Sequence, residues 1–233
     1  MKPWELLGEA RMNDGTLLVL QRRDTEYALF AGGKLLMSSR QHGSEEALAA
    51  LACTSARVAP EPSVLVGGLG MGFTLRATLD LLPQHASVHL AELQPAVITW
   101  NRGVLGPLAD HPLRDARVQV DAADVTRILM NVKRRFDAVI LDVDNGPAAF
   151  TTDTNTSLYG DAGIGAIRRA LKPNGVLAVW SAWEDRKFEQ RLRYAGFTVR
   201  TERVRARLKK GGARHTIFVA TISSESSGRA RGR

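Results

Sequence analysis

Cysteine is almost absent from this chain, which has Cys53 alone among 233 residues. An intrachain disulfide framework is therefore excluded, and a single thiol is typical of a reducing compartment. Cys53 lies in an apolar stretch with helical spacing, so we expect it to be buried and inert. Apolar runs of the roughly 18 residues that a membrane span needs are also missing. The first ten residues lack a signal-peptide core. We expect a cytoplasmic protein that makes no contact with a membrane.

Acidic residues are scarce only late in the chain. The net charge is +8, yet residues 200–215 carry seven Lys and Arg against one acid, and residues 223–233 carry three Arg against one acid. Basic surfaces are typical of proteins that bind nucleic acid. However, Arg203, Arg205 and Arg207 alternate as on one face of a strand, which favours a solvated hairpin. We therefore do not expect nucleic acid as a partner, and we expect residues 223–233 to be a disordered basic tail.

Residues 1–43 favour a small β domain. The stretches "TLLVLQ", "EYALFA" and "KLLMSS" are typical of strands, and Gly32 and Gly33 between the last two predict a hairpin. The stretch "SEEALAALACTSA" follows and predicts a helix with Ser44 as its N-cap. The exposed strand edges of such a domain indicate a homodimer.

Residues 44–222 predict a doubly wound Rossmann-like α/β domain. After Pro62 the chain alternates strand and helix patterns, and "FDAVILDV" is the clearest buried strand. Parallel neighbouring strands need crossover helices, so this alternation predicts a parallel sheet with helices on both faces. The last two strands flank "KKGGA", and we expect them to form an antiparallel pair.

The stretch "VLVGGLGMGFTLR" concentrates glycine between the first strand and the first helix of this domain. Glycine permits positive φ and lets a ligand approach the backbone without a Cβ in the way. In doubly wound sheets this turn is where the chain passes closest to a bound ligand. The cluster therefore predicts that Gly68, Gly70 and Gly72 bind a cofactor, although glycine also serves tight turns that bind nothing.

Acidic residues follow each of the next three strands. Glu92 is placed to accept hydrogen bonds from ribose hydroxyls, and Asp121 and Asp124 follow the third strand, where a carboxylate can accept from an adenine amine. Asp142 and Asp144 end the buried fourth strand. Helix caps and turns explain each acid separately. Together they face one crevice and favour an adenosine group whose far end is cationic.

These residues resemble the spermidine synthase family, the polyamine aminopropyltransferases. The stretch "GLGMGFTLR" is similar to the family's GGGDGGTLR, "RVQVDAAD" to RVxVxxGD, and "FDAVILDVDNGP" to FDVIIxDxxDP. The resemblance covers residues 16–222 in the order of elements. It implies the class I methyltransferase fold behind a small N-terminal β domain.

The resemblance also implies a reaction, in which an aminopropyl group passes from decarboxylated S-adenosylmethionine to a small amine by in-line displacement. It places Glu92 on the ribose, Asp124 on the adenine and Asp142 at the position of the catalytic acid. Asp144 is an extra acid beside Asp142, which could act as a second catalytic acid that binds an amine or could cap the turn. The sulfonium supplies the driving force, so no metal is needed. The five histidines show no paired ligand spacing, and we expect no metal site.

Departures from the family pattern lie at the amine end of the predicted site. Met71 stands where the family has an Asp that helps to hold the aminopropyl ammonium, and Asn145 replaces a second Asp. Residues 44–46 read Ser-Glu-Glu where the family has Tyr-His-Glu. Two alternatives therefore stay open: a methyltransferase that uses S-adenosylmethionine, which Met71 favours, and a nucleoside-binding homologue without catalytic activity. Asp142 and the β domain favour aminopropyl transfer.

Overall fold

The computed structural model describes residues 2–143, 146–147, 157–207 and 212–222. Asp144 and the expected tail at residues 223–233 lie outside these ranges. Within them, none of the helices has the length and apolar character needed to cross a bilayer.

The N-terminal sheet has four antiparallel strands in chain order, one more than the sequence predicts. They are β1 (Glu5–Arg11), β2 (Leu17–Arg23), β3 (Glu26–Ala31) and β4 (Lys34–Ser38). The predicted hairpin is confirmed, with Gly32 and Gly33 at φ +56° and +78° between β3 and β4. The sequence missed β1 because Gly8 interrupts it at a register shift. Gly8 is needed there, since a Cβ would lie 2.6 Å from Nε1 of Trp100.

The α/β body contains a seven-stranded sheet in the order β10-β11-β9-β8-β5-β6-β7. Strands β5 to β9 run parallel, while β11 is antiparallel to both β9 and β10. This confirms the doubly wound sheet with a C-terminal antiparallel pair. The elements are α1 (Gly43–Ala52), β5 (Ser63–Gly67), α2 (Phe73–Leu81), β6 (Ser87–Ala91), α3 (Pro95–Arg102), β7 (Val118–Asp121), α4 (Val125–Met130), β8 (Phe136–Leu141), α5 (Asp161–Ala170), β9 (Leu171–Ser181), α6 (Arg186–Tyr194), β10 (Thr198–Arg205) and β11 (Arg214–Thr221), with short 3-10 turns at Ala56–Val58, Gly106–Ala109 and Pro112–Arg114.

Each face of the large sheet has its own hydrophobic core. The helices α1, α2 and α3 pack on one face, and α4, α5 and α6 pack on the other. Leu18 and Leu29 of the N-terminal sheet belong to the same buried cluster as Leu48 and Val66, so that sheet packs onto the body through a shared core. Cys53 lies in this cluster, where burial raises its pKa to about 12 and keeps the thiol inert as expected.

Helix α1 begins two residues earlier than the expected N-cap at Ser44 predicts. His42 precedes its first residue, and the expected N-cap Ser44 lies inside the first turn. The prediction was wrong because the Ser44 hydroxyl is engaged by Glu45 and by His215 of the distant strand β11. The backbone N–H of Gly43 instead donates to the Ala206 carbonyl, which ties the start of α1 to the end of β10.

Candidate active site

The glycine loop between β5 and α2 adopts a backbone that other residues tolerate poorly. Gly68, Gly70 and Gly72 have φ of +89°, +51° and +89°. A Cβ at Gly68 would collide with the backbone carbonyl of Asp142, so glycine lets the loop lie directly against the end of β8. Gly72 is the N-cap of α2 and faces Asn101 rather than the cavity described below.

Glu92 follows β6 and holds the glycine loop through its carboxylate. Oε2 accepts a hydrogen bond from the Leu69 N–H at 2.8 Å, and Oε1 accepts one from the Gln94 N–H at 2.8 Å. The residue is 8% exposed. Each carboxylate oxygen can accept more than one hydrogen bond. The Glu92 carboxylate therefore fixes the backbone of the glycine loop against the end of β6.

Asp124 is the N-cap of α4, where Oδ1 accepts a hydrogen bond from the Thr126 N–H at 2.7 Å. The expected companion, Asp121, does not share this crevice. Asp121 ends β7 and lines a separate groove with His89 and Gln119. Residues two apart on a strand share a face, so Asp121 is on the side of Gln119 and faces away from the glycine loop.

Asp142 comes directly after β8 and is anchored from two sides. Its N–H donates to the Gly67 carbonyl at 2.8 Å, and Oδ2 accepts a hydrogen bond from the Thr74 hydroxyl at 2.6 Å. Burial raises the pKa of Asp142, while the Thr74 hydrogen bond acts in the opposite direction. Sequence reasoning did not assign a role to Thr74. The signal available was its place in the first turn of the helix that follows the glycine loop.

One cavity at the carboxyl ends of the parallel strands brings most of the predicted site together. Gly68, Gly70, Glu92, Asp124 and Asp142 all line it. The position of Asp144 is outside the described residues. The charged side chains among the described lining residues are all carboxylates.

The N-terminal sheet forms the apolar wall of this cavity. Met12, Leu36 and Met37 line it together with Leu18 and Leu29. Met37 lies over the glycine loop, because a Cβ at Gly70 would be 3.2 Å from its sulfur. The β domain is therefore part of the site, which the sequence did not indicate.

Met71 points away from the cavity. It is 4% exposed and belongs to the hydrophobic core that includes Leu75 and Leu105. The loop position where the resemblance implies an acid therefore contributes core packing.

A hydrogen-bonded group lies at the start of α1. The Ser44 hydroxyl is 2.6 Å from Oε2 of Glu45 and 2.9 Å from Nδ1 of His215. Burial and the charge of Asp142 raise the pKa of Glu45 to about 8. Sequence reasoning missed His215, because 171 positions separate it from Ser44 and no local pattern marks the contact.

Grouped His, Cys, Asp or Glu side chains that could hold a metal ion do not occur in the part of the chain that the structure describes. The glycine loop, Glu92, Asp124 and Asp142 thus line one cavity whose charged side chains, among the described residues, are carboxylates. The fold and the position of this cavity at the strand ends define a Rossmann-like class of α/β protein.

Residues 41–192 match the family model described as the spermine/spermidine synthase domain. That match covers more than half of the chain, which therefore belongs to the spermine/spermidine synthase family.

Curated relatives agree with this family. The chain is 35% identical over 122 residues to a polyamine aminopropyltransferase of Nitrosomonas europaea. This alignment covers 52% of the chain and 35% of the relative. The chain is 30% identical over 164 residues to polyamine aminopropyltransferase 1 of Streptomyces coelicolor, which covers 68% of this chain and 29% of the relative. The matched region is thus about a third of the length of these relatives.

Solved structures share the fold. A spermidine synthase from Thermotoga maritima superposes with a TM-score of 0.71 at 19% identity, over 93% of this chain and 72% of that one. A spermidine synthase in complex with the transition-state analogue AdoDATO gives a TM-score of 0.73 at 19% identity, over 93% and 73% of the two chains. These likenesses confirm the predicted methyltransferase-type fold behind an N-terminal β sheet.

Proposed function

We propose that this protein is a transferase that moves an aminopropyl group from decarboxylated S-adenosylmethionine to a small amine. Membership of the spermine/spermidine synthase family supports this activity. The observation that carries the proposal is the charge of the cavity. Glu92, Asp124 and Asp142 line it, and no Lys, Arg or His occurs among its described lining residues.

This charge distinguishes the two sulfonium nucleosides. S-adenosylmethionine carries a carboxylate, which would enter a cavity with three carboxylates and no described cation to pair with it. Two like charges 4 Å apart repel by about 4 kcal/mol at the effective dielectric constant near a protein surface. The decarboxylated nucleoside keeps the ammonium and the sulfonium but lacks the carboxylate, so all of its charges are complementary to the cavity. The runner-up, a methyltransferase that uses S-adenosylmethionine, is therefore disfavoured, even though Met71 supplies no acid.

In this proposal the nucleoside lies along the ends of β5, β6 and β7. The backbone of Gly68 and Gly70 passes beside it, Glu92 accepts from the ribose hydroxyls and Asp124 accepts from the adenine amine. Asp142 lies at the reacting end, where β8 ends beside the glycine loop. We also keep Asp144 as a second acid for the acceptor.

The chemistry assigned to Asp142 is proton removal. An alkylamine is almost wholly protonated at neutral pH, as Lys is. The Asp142 carboxylate binds the acceptor ammonium and takes one proton from it. The freed lone pair forms the N–C bond while the C–S bond breaks, and the bonding electrons stay on sulfur as a neutral thioether.

We extend the proposal to a homodimer that forms through the N-terminal sheet. The outer strands of that sheet, β1 and β4, carry Leu6 and Leu35, which are 55% and 56% exposed. Light scattering after size-exclusion chromatography tests this part, and a monomer at micromolar concentration would contradict it.

Titration calorimetry tests the activity. Decarboxylated S-adenosylmethionine, S-adenosylmethionine and methylthioadenosine are each titrated into the protein, and the first should bind at least tenfold more tightly than the second. Asp142→Asn should reduce this preference, because the variant removes the charge nearest the two tails. Tighter binding of S-adenosylmethionine would support the methyltransferase alternative. Nucleoside binding without turnover on any diamine, polyamine or aromatic amine would support the non-catalytic alternative.

A further inference from the structure

The first turn of α1 places two polar residues against the large sheet. Ser44 is fully buried and Glu45 is half-buried. The helix packs on α2 and on the strands β8, β9, β10 and β11. Because α2 carries Thr74, the partner of Asp142, α1 is beside the reacting end of the proposed site.

The hydrogen bonds of Ser44 form a chain that runs from His215 through Ser44 to Glu45. While Glu45 is ionised, the Ser44 hydroxyl donates its one proton to Oε2 of Glu45 at 2.6 Å, and the tautomer of His215 with a proton on Nδ1 donates to the hydroxyl oxygen at 2.9 Å. His215 then has a proton on Nδ1, and burial lowers the pKa of its imidazole. If Glu45 gains a proton, the same chain can reverse, with Glu45 donating to Ser44 and Ser44 donating to Nδ1. The group therefore accommodates both protonation states of Glu45.

Ser44 is not a candidate nucleophile. It is 0% exposed, and its hydroxyl lies between the two other groups instead of facing the cavity. The arrangement fixes the position of the Glu45 carboxyl, because Ser44 is held by His215 of the distant strand β11.

Helix α1, which carries Glu45, packs on α2, whose Thr74 holds the Asp142 carboxylate. Burial and the Asp142 charge raise the pKa of Glu45, the Ser44 hydrogen bond lowers it, and Glu46 raises it slightly. Glu46 itself is turned to His42, with 2.8 Å between Oε1 and Nδ1. The remaining titratable groups on this face are His215 on β11 and Glu202 and Arg200 on β10, which lie opposite the core residues Ile217 and Val219. Arg200 is exposed to solvent, so the two acids repel each other without a buried neutralising cation among the groups named.

We propose that Glu45 works with Asp142 at the amine end of the site, with Asp142 in contact with the acceptor ammonium and Glu45 as a positioning residue that Ser44 and His215 hold in place. This inference rests on the proposed aminopropyl transfer. A cationic amine next to Asp142 supplies the positive charge that the two acids lack. It is therefore bound by both charges, although only one carboxylate contacts it.

The proton that leaves the amine goes to Asp142. The acceptor ammonium gives one proton to the Asp142 carboxylate, and the negative charge of Glu45 stabilises the proton there. The N–C bond then forms as the C–S bond breaks, with its electrons on sulfur, and the product leaves as a secondary ammonium. The reaction needs no further reactant, because the proton on Asp142 passes to solvent after product release.

The test compares Glu45→Gln with Glu46→Gln, a matched control on the same helix whose carboxylate is turned to His42. Steady-state kinetics are measured at pH 9, where wild-type Glu45 is ionised, with decarboxylated S-adenosylmethionine and 1,4-diaminobutane or the best acceptor found in a screen. Glu45→Gln should raise KM for the acceptor about tenfold to a hundredfold, the range expected for loss of a charged partner. Glu46→Gln should change it less than about threefold, as expected for an exposed ion pair. The affinity for methylthioadenosine should stay within twofold in both variants.

The pH profile separates positioning from mere structure. In the wild type kcat/KM should rise with pH towards 8, and in Glu45→Gln this limb should move to lower pH, because Asp142 no longer has a like charge beside it. Ser44→Ala should move the acceptor KM in the same direction as Glu45→Gln by a smaller factor, and Glu45→Asp should partly restore it.

The outcomes keep this inference distinct from the proposed function. If the wild type transfers aminopropyl groups and Glu45→Gln has the wild-type acceptor KM and pH profile, Glu45 has no role in the reaction and the inference is overturned. If Glu46→Gln has the same effect as Glu45→Gln, a general loss of negative charge explains the result and the inference fails. If the wild type does not bind the decarboxylated nucleoside, the proposed function fails first, as calorimetry alone would show.

Discussion

The Thr74 hydroxyl donates a 2.6 Å hydrogen bond to Oδ2 of Asp142 and so joins the first turn of α2 to the end of β8. Thr74 is 2% exposed, and this contact is therefore shielded from solvent. The glycine loop makes it possible, because Gly68 lets the chain pass directly against the Asp142 backbone before α2 begins. One oxygen of the proposed catalytic acid is thus fixed by the same turn that passes beside the nucleoside.

Thr74→Val should raise the pKa of Asp142, because the hydrogen bond that it removes lowers that pKa. The limb of kcat/KM that reports ionisation of the acid should move up by about one pH unit, since one unit is about 1.4 kcal/mol and a hydrogen bond to a charged group is worth about that or more. Thr78→Val is the control, because its hydroxyl donates to the Thr74 backbone carbonyl. Equal shifts in the two variants would show that helix distortion is the cause.

Asp124 has two separable roles, as the N-cap of α4 and as the proposed partner of the adenine amine. Asp124→Asn keeps the cap, because Asn is as good an N-cap as Asp, so stability should hold while nucleoside affinity falls about tenfold. Asp124→Ala should lose that affinity and about 1 kcal/mol of stability as well. Calorimetry and urea unfolding measure the two quantities. Unchanged nucleoside affinity in both variants would leave Asp124 as a cap alone.

Arg117 anchors the C-terminal end of α2. Its guanidinium pairs with Asp115 at 2.7 Å and donates to the carbonyls of Leu79 and Leu82, and its side chain is 6% exposed. Arg117→Met should therefore cost about 3 kcal/mol, as for a buried ion pair broken on one side. The exposed pair of Arg22 with Glu5 supplies the control, and Arg22→Met should leave the stability nearly unchanged because exposed ion pairs contribute little.

The same pair predicts a pH dependence at low pH. Arg117 holds the pKa of Asp115 down to about 2. The stabilisation is therefore present above the ordinary carboxyl pKa and is lost as pH falls from about 4 towards 2. The free energy of unfolding is measured for the wild type and for Arg117→Met at pH 7 and at pH 2.5. The difference between the two proteins should be smaller at pH 2.5, and an unchanged difference would contradict the stabilising role of the ion pair.

The site residues at the strand ends were predictable from sequence, whereas the contacts made by α1 and β11 were not. Gly68, Glu92 and Asp142 follow successive parallel strands, and such ends must meet at one edge of the sheet. Asp121 was misplaced because strand alternation turns it to the face of Gln119. The contact of Ser44 with His215 depends on the position of β11 beside β9, and nothing local in either segment encodes that neighbour.

The sequence pattern likewise did not predict that the N-terminal sheet forms a wall of the cavity. In the sequence Met37 looks like an ordinary strand residue, and only the packing of the two sheets places it against the glycine loop. Strand β1 was missed for a related reason, since Gly8 weakens its local signal and is explained only by the close approach of Trp100.

Glu45→Gln should stabilise the protein at high pH. The pKa of Glu45 is raised to about 8, so the folded state binds a proton that the unfolded state has lost, and the wild type loses stability as pH rises from about 4.5 to 8. Gln imitates the protonated side chain and removes this loss. At pH 9 the melting temperature of Glu45→Gln should exceed that of the wild type by about 2 °C or more, which corresponds to about 1 kcal/mol.

The control for that measurement is the same comparison at pH 5, where the two proteins should melt within about 1 °C of each other because wild-type Glu45 is then protonated in the folded state. If the difference in melting temperature between wild type and variant is the same at both pH values, the pKa of Glu45 is not raised and its charge does not interact with that of Asp142.

Asp142→Asn should abolish transfer while the affinity for methylthioadenosine stays within a few fold. Asn keeps the shape of the side chain, and its carbonyl can still accept the hydrogen bond from Thr74. It cannot take a proton or balance an ammonium, so the acceptor binds poorly and stays protonated. The loss of general-base help alone is worth about 10²–10⁴-fold in rate.

The control is Asp121→Asn, which removes a carboxylate from the end of β7 that lines the separate groove with His89 and should leave the rate unchanged. Both variants are assayed with saturating nucleoside and with the acceptor that is best for the wild type, so that poor acceptor binding appears in KM and lost proton transfer appears in kcat. If Asp142→Asn turns over at the wild-type rate, Asp142 serves only to shape the turn after β8. The proton must then leave the amine through another group. If both variants lose the same activity, the cause is the loss of negative charge from the sheet edge and not the place of Asp142 beside the glycine loop.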